Sequence, residues 1–314
     1  VNSVFRGNIG ITDGGAYFAF SATKMVFENC LFYNNSAVSG GGARITSSTD
    51  VSFFNCTFDS CVSNQGGAVT LNSDQPTILT NCTIRNCSAN LWGGGVVYGG
   101  TGDAIFTNVI FEENTSQGPA AGLYLGGSLA LLNNCTLRNN VARLAGAGVY
   151  ALTGTASVTG SLFIGNNAFN GAGAACESGA LNITSSVFRQ NIASRNGGGF
   201  GAVSSCTAFL ESITFEENTA RRGGGAYRDL FTSVQMKDML FKNNTAYRGG
   251  GYYIDTLLTC SVPVQTGVVF EFNSATSGGG SLWVESPEGE CYDSFENAVF
   301  RNNSGLYGNK YASP

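Results

Sequence analysis

The 314-residue sequence contains no histidine, only five prolines and only 12% charged residues. Without an imidazole, the chain has no Ser-His-Asp triad, no Cys-His pair and no histidine-ligated zinc site. A formal net charge of −5 argues against a nucleic-acid surface, which is normally basic. No apolar run approaches the roughly 20 residues of a membrane helix, so we expect no insertion into a membrane.

Glycine, by contrast, is abundant, with 44 residues, and an internal repeat runs through the whole chain. The tetrapeptide Phe-x-x-Asn, or a degenerate version of it, recurs at intervals of 25 to 30 residues. The fourth positions of these copies are Asn8, Asn35, Cys61, Cys87, Asn114, Asn140, Asn166, Asn191, Asn218, Asn244, Asn273 and Asn303. A glycine cluster, such as that at residues 223–225, follows most copies. A repeat with such regular spacing indicates that residues 1–314 form one solenoid.

The spacing of the repeat restricts the fold. A period near 26 residues has room for three short strands and three turns, but not for two packed helices and a linker. Short alternating runs, such as residues 268–272, are typical of strands. We therefore predict an all-β fold, a right-handed parallel β-helix of about 12 coils with about 26 residues in each. The Phe and Asn of the motif then stack on their counterparts in the next coil, and the amide ladder satisfies buried turn groups.

The complete repeat resembles that of a known family. Its best copies are residues 32–35 followed by 41–43, residues 58–61 followed by 66–69, and residues 215–218 followed by 224–226. This Phe-x-x-Asn and Gly-Gly-Ala pattern is similar to the polymorphic outer-membrane-protein (Pmp) repeat of chlamydial autotransporter adhesins and of many large extracellular proteins. The resemblance covers essentially the whole chain and implies an exported β-helix that serves in adhesion or as a surface filament. The repeated residues belong to a scaffold, so the resemblance specifies fold more closely than function.

Six of the ten cysteines fall into two columns. Cys30, Cys56 and Cys82 are 26 positions apart, and Cys135 rejoins their column after one interruption. Cys61 and Cys87 form the second column. Residues stacked on adjacent coils lie about 4.8 Å apart, which is within reach of a disulfide. Buried free thiols, disulfides between coils, and local bridges within each coil (Cys56 to Cys61, Cys82 to Cys87) are therefore all open.

Four other cysteines are disulfide candidates. Cys260 and Cys291 lie in two long loops of adjacent coils, and Cys176 and Cys206 follow successive glycine clusters. Disulfides together with export imply an oxidising, extracellular location or the cell surface. No CxxC pair occurs, so neither a zinc site nor any other cofactor is expected.

The sequence has nine Asn-x-Ser/Thr sequons. Four of them are expected to be ladder residues that face inward: Asn55, Asn81, Asn114 and Asn134. Three share one coil position, just before the ladder residue, and are expected to face outward: Asn34, Asn243 and Asn302. These three are the glycan candidates if the protein is a glycoprotein.

Charged residues suggest two further features. Asp229 and Asp255 each follow a glycine cluster by four residues and are 26 positions apart, so they are either a carboxylate pair on adjacent coils or two solvated loop residues. Four arginines precede glycine clusters and form either a contact strip for an acidic glycan or a neighbouring subunit, or an ordinary solvated turn. They are Arg195, Arg221, Arg222 and Arg248.

Two functions follow as hypotheses. The first is a non-enzymatic extracellular structural or adhesive β-helix, with no catalytic residue and no metal. Both ends break off in phase with the repeat and no signal peptide is visible, so we expect a segment of a longer chain or a protomer that stacks. Its partners would be like subunits joined end to end into a filament, flanking repeats of the same chain, glycans, or host and cell-surface proteins. The alternative is a carbohydrate-active enzyme, a polysaccharide lyase or glycoside hydrolase, that uses Asp229 and Asp255.

Overall fold

The computed structural model describes residues 1–229, 232–255, 264–285, 295–306 and 311–312. These residues contain 45 strands of two to six residues and no α-helix. Every paired strand runs parallel to its counterpart in the neighbouring turn, and the strands form four sheets along the solenoid. We number the sheets 1 to 4 in the order in which one turn of the chain passes through them.

Sheet 1 carries the phenylalanine of each Phe-x-x-Asn copy in the middle of its strands. Its 12 strands are Val4–Arg6, Leu31–Tyr33, Thr57–Asp59, Thr83–Arg85, Ile110–Glu112, Thr136–Arg138, Leu162–Ile164, Val187–Arg189, Thr214–Glu216, Leu240–Lys242, Val269–Glu271 and Val299–Arg301. Sheet 2 follows the ladder residue of each turn. Its 10 strands are Val62–Gln65, Ser88–Trp92, Thr115–Ser116, Val141–Ala142, Asn167–Asn170, Ile192–Asn196, Thr219–Arg222, Thr245–Arg248, Ser274–Ala275 and Ser304–Gly305.

Sheet 3 follows the glycine clusters. Its 12 strands are Tyr17–Phe20, Ala43–Thr46, Val69–Asn72, Val96–Tyr98, Leu123–Leu125, Val149–Ala151, Ala174–Cys176, Phe200–Ala202, Ala226–Arg228, Tyr252–Asp255, Leu282–Glu285 and Tyr311–Ala312. Sheet 4 completes each turn. Its 11 strands are Thr23–Glu28, Thr49–Phe54, Thr77–Thr80, Asp103–Thr107, Leu129–Asn133, Thr155–Thr159, Ala180–Thr184, Thr207–Glu211, Ser233–Lys237, Gln265–Thr266 and Phe295–Glu296.

The predicted all-β parallel solenoid is confirmed, with two differences in detail. The 12 strands of sheet 1 are separated by 11 turns, compared with the prediction of about 12 coils. Each complete turn has four strands rather than three, because the segment before the glycine cluster is the strand of sheet 2 and not a turn. A single left-handed residue, such as Gln190 with φ 55°, makes the bend from sheet 1 to sheet 2 and leaves enough residues for a strand.

The interior is built from stacked identical positions. Phe32 is in register with Phe5 and Phe58, and its ring centroid lies 4.7 Å and 4.4 Å from theirs. Beside this column, Nδ2 of Asn140 donates 3.0 Å hydrogen bonds to Oδ1 of Asn166 and to the backbone carbonyl of Phe111. The predicted stacking of both motif residues is therefore confirmed.

The glycine clusters make the corner between sheets 2 and 3. Gly223 has a left-handed φ of +63°, which glycine adopts without steric penalty. A Cβ on Gly224 would lie 2.4 Å from the carbonyl oxygen of Gly250, so neighbouring turns approach too closely for any side chain. Both requirements recur at most turns, which explains the regular spacing of glycine in the sequence.

The prediction that Asn55, Asn81 and Asn134 face inward is wrong. All three are exposed and have φ between 50° and 53°. The left-handed residue at this corner directs its side chain to solvent, and the next residue, for example Cys56 or Cys82, points into the core instead.

Asn114 and the three glycan candidates lie where the sequence places them. Asn114 is fully buried in the amide ladder. The three glycan candidates Asn34, Asn243 and Asn302 are exposed. No helix in the described part of the chain combines the length and the apolarity that crossing a membrane demands.

Candidate functional site

An open cavity of about 500 Å³ lies on the outer surface where sheet 2 meets sheet 3. One wall comes from strands of sheet 2 that end in Asn196 and Arg222, and the other from strands of sheet 3 that carry Tyr150 and Tyr227. The glycine corner between the two sheets brings side chains from several successive turns to this place. The cavity gathers acidic, basic and aromatic side chains in one place.

Asp229 and Asp255 both line this cavity. Oδ2 of Asp255 accepts a 3.3 Å hydrogen bond from the hydroxyl of Tyr227 and lies 3.7 Å from Nη1 of Arg222. Burial raises the pKa of Asp255, and the negative charge of Asp229 raises it further against the opposing effects of Tyr227 and Arg222. The two carboxyl groups therefore interact electrostatically within one site and are not independent loop residues.

A row of stacked aromatic rings supports this wall. Tyr227 and Tyr253 are in register on sheet 3, their ring centroids are 5.5 Å apart, and Trp283 continues the row. The guanidinium carbon of Arg222 lies 5.4 Å from the centroid of the Tyr253 ring. Burial, together with the charges of Asp229 and Asp255, raises the pKa of Tyr227, so its hydroxyl stays protonated and can donate a hydrogen bond.

Glu177, Tyr150 and Phe169 are among the residues of the cavity that were not singled out from the sequence. The hydroxyl of Tyr150 donates a short hydrogen bond to Oε2 of Glu177. Burial and this contact raise the pKa of Tyr150. Tyr150 and Tyr227 both occupy the second position after the glycine corner. This shared position is the feature of the sequence that could have indicated Tyr150 as a residue of the cavity. The face on which that position lies depends on the four-sheet geometry.

The four arginines of the predicted contact strip do not form one row of like charges. Arg222 and Arg248 are in register, but the residue in register with Arg222 on the preceding turn is Asn196 and not Arg195. Arg222 lies 3.7 Å from Asp255, and Arg248 lies 3.3 Å from Glu285. Arg221 is exposed next to Arg222. Acidic side chains thus offset part of the positive charge that the sequence suggested for this strip.

Cys176 and Cys206 are joined by a disulfide. Cys176 ends the sheet 3 strand that precedes Glu177, so the bond links the cavity wall to the next turn. Cys260 and Cys291, the other candidate pair, lie outside the described residues.

The two predicted cysteine columns are buried and unbridged. The free thiols in the described part of the chain are those of Cys30, Cys56, Cys61, Cys82, Cys87 and Cys135. A hydrogen bond from the Cys82 thiol lowers the pKa of Cys56 to about 7, against the effect of burial. The same contact and burial raise the pKa of Cys82.

No group of three potential metal ligands among histidine, cysteine, aspartate and glutamate occurs in the part of the chain that the structure describes.

Comparison with protein-family models matches residues 14–187 to the right-handed β-helix region. The match covers more than half of the chain, and its handedness agrees with the expectation from the sequence. It identifies β-helices in general and not the Pmp repeat in particular. No curated protein and no solved structure matches the chain.

Proposed function

Because this chain belongs to the right-handed β-helix family, we propose that it is a non-enzymatic, extracellular structural and adhesive solenoid that binds carbohydrate in the cavity between sheets 2 and 3. The observation that carries the proposal is the chemistry of that cavity. The regular turns provide a scaffold, and the cavity on it gathers charged and aromatic side chains. The resemblance of the repeat to the Pmp repeat adds support, since proteins with that repeat serve in adhesion.

The side chains of the cavity suit the recognition of a sugar. The carboxylate of Asp255 accepts hydrogen bonds from sugar hydroxyls, and the guanidinium of Arg222 donates to them. Tyr227 and Arg222 already contact Asp255, so these polar groups are held in place before a ligand arrives.

An extracellular location is part of the proposal. The disulfide between Cys176 and Cys206 is typical of proteins from oxidising compartments. The exposed sequons at Asn34, Asn243 and Asn302 would be accessible to glycosylation. We further propose that the partners of this chain are flanking repeats or like subunits, since parallel turns stack naturally on further turns of the same kind.

A binding experiment with matched arginine variants tests the proposal. Arg222 and Arg248 occupy the same strand position one turn apart, and each stacks on an aromatic ring, but only Arg222 lines the cavity. We expect the wild-type protein to bind members of a panel of purified polysaccharides and oligosaccharides. Arg222→Met should weaken binding at least about tenfold, whereas Arg248→Met should change it less than about twofold. Absence of binding to every carbohydrate would remove the basis of the proposal.

A carbohydrate-active enzyme is the second candidate, and the environment of Asp255 favours it. A carboxyl group whose pKa is raised, beside a second carboxyl group in one cavity, is the arrangement of a general acid with a base or nucleophile. In this mechanism Asp255 would protonate the leaving oxygen and Asp229 would act as base or nucleophile. Release of reducing ends or unsaturated products from a bound polysaccharide, lost in Asp255→Asn, would establish it. Binding without any product would favour the non-enzymatic function.

A further inference from the structure

A second groove lies beside the cavity on the outer face of sheet 2. It has a volume of about 480 Å³ and is lined by both polar and apolar side chains. Its polar lining residues include Thr115, Gln117, Arg143, Asn167 and Ser194. Phe169 lines both this groove and the cavity, so the two spaces meet at its ring. Together they extend along the solenoid from the turn of Thr115 to the turn of Asp255.

The ring of Phe169 stands between the two spaces. It belongs to strand Asn167–Asn170 and is 40% exposed, and the guanidinium carbon of Arg195 lies 5.6 Å from its centroid. Arg195 lines the cavity, so its guanidinium group lies against the Phe169 ring on the cavity side. A large, exposed apolar ring between two spaces that both contain hydrogen-bonding side chains is suited to stack on one unit of a longer ligand.

The charges along the two spaces balance. Three basic and three acidic side chains line them: Arg143, Arg195, Arg222, Glu177, Asp229 and Asp255. An acidic glycan would bring carboxylates close to Asp229 and Glu177, and a cationic polymer would meet the arginines. An uncharged chain rich in hydroxyl groups is repelled by neither the acidic nor the basic side chains. Its hydroxyl groups can donate hydrogen bonds to the carboxylates and accept them from the guanidinium groups.

The repeat of the solenoid also fits a polymer. Thr115, Val141 and Asn167 are in register on successive turns of sheet 2. Successive turns are about 4.8 Å apart, which is close to the length of one sugar unit in an extended glycan. Each unit of a chain lying along the axis therefore meets the equivalent position of the next turn.

We propose that the cavity and the groove together form one binding track for an extended, uncharged polysaccharide that lies along the axis of the solenoid. Phe169 stacks on a sugar in the middle of this track. The inference rests on the proposed function, because it joins the groove on sheet 2 to the carbohydrate cavity beside it. It adds the class of ligand, its direction and the number of turns that it contacts.

The test is the dependence of affinity on ligand length. We would measure, by titration calorimetry, the binding of linear neutral oligosaccharides of glucose, mannose and xylose with one to six units, and of oligogalacturonates of the same lengths. For at least one neutral series we expect the affinity to rise at least about tenfold from two units to six. We expect the oligogalacturonates to bind more weakly at every length.

Phe169 has a matched control in Tyr247. Both residues occupy the third position of their sheet 2 strands, both are exposed, and each is in contact with an arginine, but Tyr247 lines neither space. Phe169→Ala should lower the affinity for six units about tenfold and leave that for one or two units within about twofold. Tyr247→Ala should leave the whole series unchanged.

Three outcomes would overturn the inference. If affinity reaches its plateau at one or two units and Phe169→Ala has no effect, only the cavity binds, and the proposed function survives without the track. Tighter binding of oligogalacturonates than of every neutral series would overturn the uncharged ligand. If no saccharide binds, the proposed function fails together with the track. Identical thermal unfolding of both variants and the wild type confirms that they are folded.

Discussion

The side-chain amide of Asn191 donates a 2.9 Å hydrogen bond to Oδ1 of Asn218 on the next turn. The same oxygen accepts a 3.0 Å hydrogen bond from the backbone N–H of Asn191, and Asn191 donates its second amide proton to the carbonyl of Phe163. Both side chains are fully buried. One asparagine side chain per turn thus satisfies polar groups of two neighbouring turns that have no access to water.

Removal of one ladder residue should therefore be costly. Asn218→Ala leaves the backbone N–H and the amide of Asn191 without their acceptor, and we expect it to lower the free energy of unfolding by about 3 kcal/mol. Asn90 is a matched control, because its side-chain amide also bonds to a neighbouring turn, at Asn64 on the preceding one, but is exposed. Asn90→Ala should cost less than about 0.5 kcal/mol. Urea unfolding followed by circular dichroism measures both, and equal effects would contradict a special role of the buried ladder.

The close approach of neighbouring turns predicts the effect of a single methyl group. A Cβ on Gly224 would lie 2.4 Å from one backbone oxygen and 2.7 Å from another, and neither can rotate away. We expect Gly224→Ala to destabilise the protein by at least about 3 kcal/mol or to prevent folding. A Cβ on Gly126 would lie 3.2 Å from its nearest neighbour, a ring carbon of Tyr124. We therefore expect Gly126→Ala to lower the free energy of unfolding by about 1 kcal/mol at most. A comparable melting temperature for both variants would show that the turns can separate.

The disulfide should contribute to stability because it closes a long loop. Cys176 and Cys206 are 30 residues apart, and replacing both by alanine should cost about 3 kcal/mol. Reduction should lower the melting temperature of the wild type and have a smaller effect on the double variant. Intact mass after alkylation of the unfolded, unreduced protein checks the bond directly. Labelling of either residue under these conditions would contradict it.

The environment of Asp255 predicts a stability that depends on pH. Burial and the charge of Asp229 raise its folded-state pKa above the unfolded value, so between these two pKa values the folded protein binds more protons than the unfolded chain. Stability from this group therefore falls as the pH rises through that interval, and the ionised carboxylate is a constant penalty above it.

Asp255→Asn removes this penalty and keeps the size of the side chain. We expect the variant to unfold at the same or a higher temperature than the wild type at pH 7, with the difference shrinking below about pH 4. Asp50→Asn, at an exposed position, should show no such trend. Differential scanning calorimetry over this range measures both. A variant that loses more stability at pH 7 than at pH 4 would mean that the contacts with Tyr227 and Arg222 outweigh the burial.

Much of the scaffold could be predicted because identical residues recur at a constant interval. Phe32 and Phe58, or Asn140 and Asn166, are one period apart, and in a parallel solenoid one period is one step along the axis. The side on which a corner residue lies could not be predicted in the same way. Asn55 and Asn114 are both recurrent asparagines, yet the first is exposed and the second is buried. A left-handed φ at Asn55 makes the difference, and the repeat itself does not encode it.

The sequence by itself determined the parallel solenoid, its period and its stacked core, because these depend only on spacing and residue type. It also drew attention to Asp229 and Asp255 through their spacing. Only the tertiary structure decided that these carboxyl groups share a cavity with Tyr150 and Glu177. These four residues come from four different turns on the sheet 3 side of the glycine corner, and Arg222 faces them from the sheet 2 side. Their distances depend on the four sheets and their register. A period of about 26 residues repeats every position equally, whereas the cavity exists only where the shape of the corner and the side chains of several turns coincide.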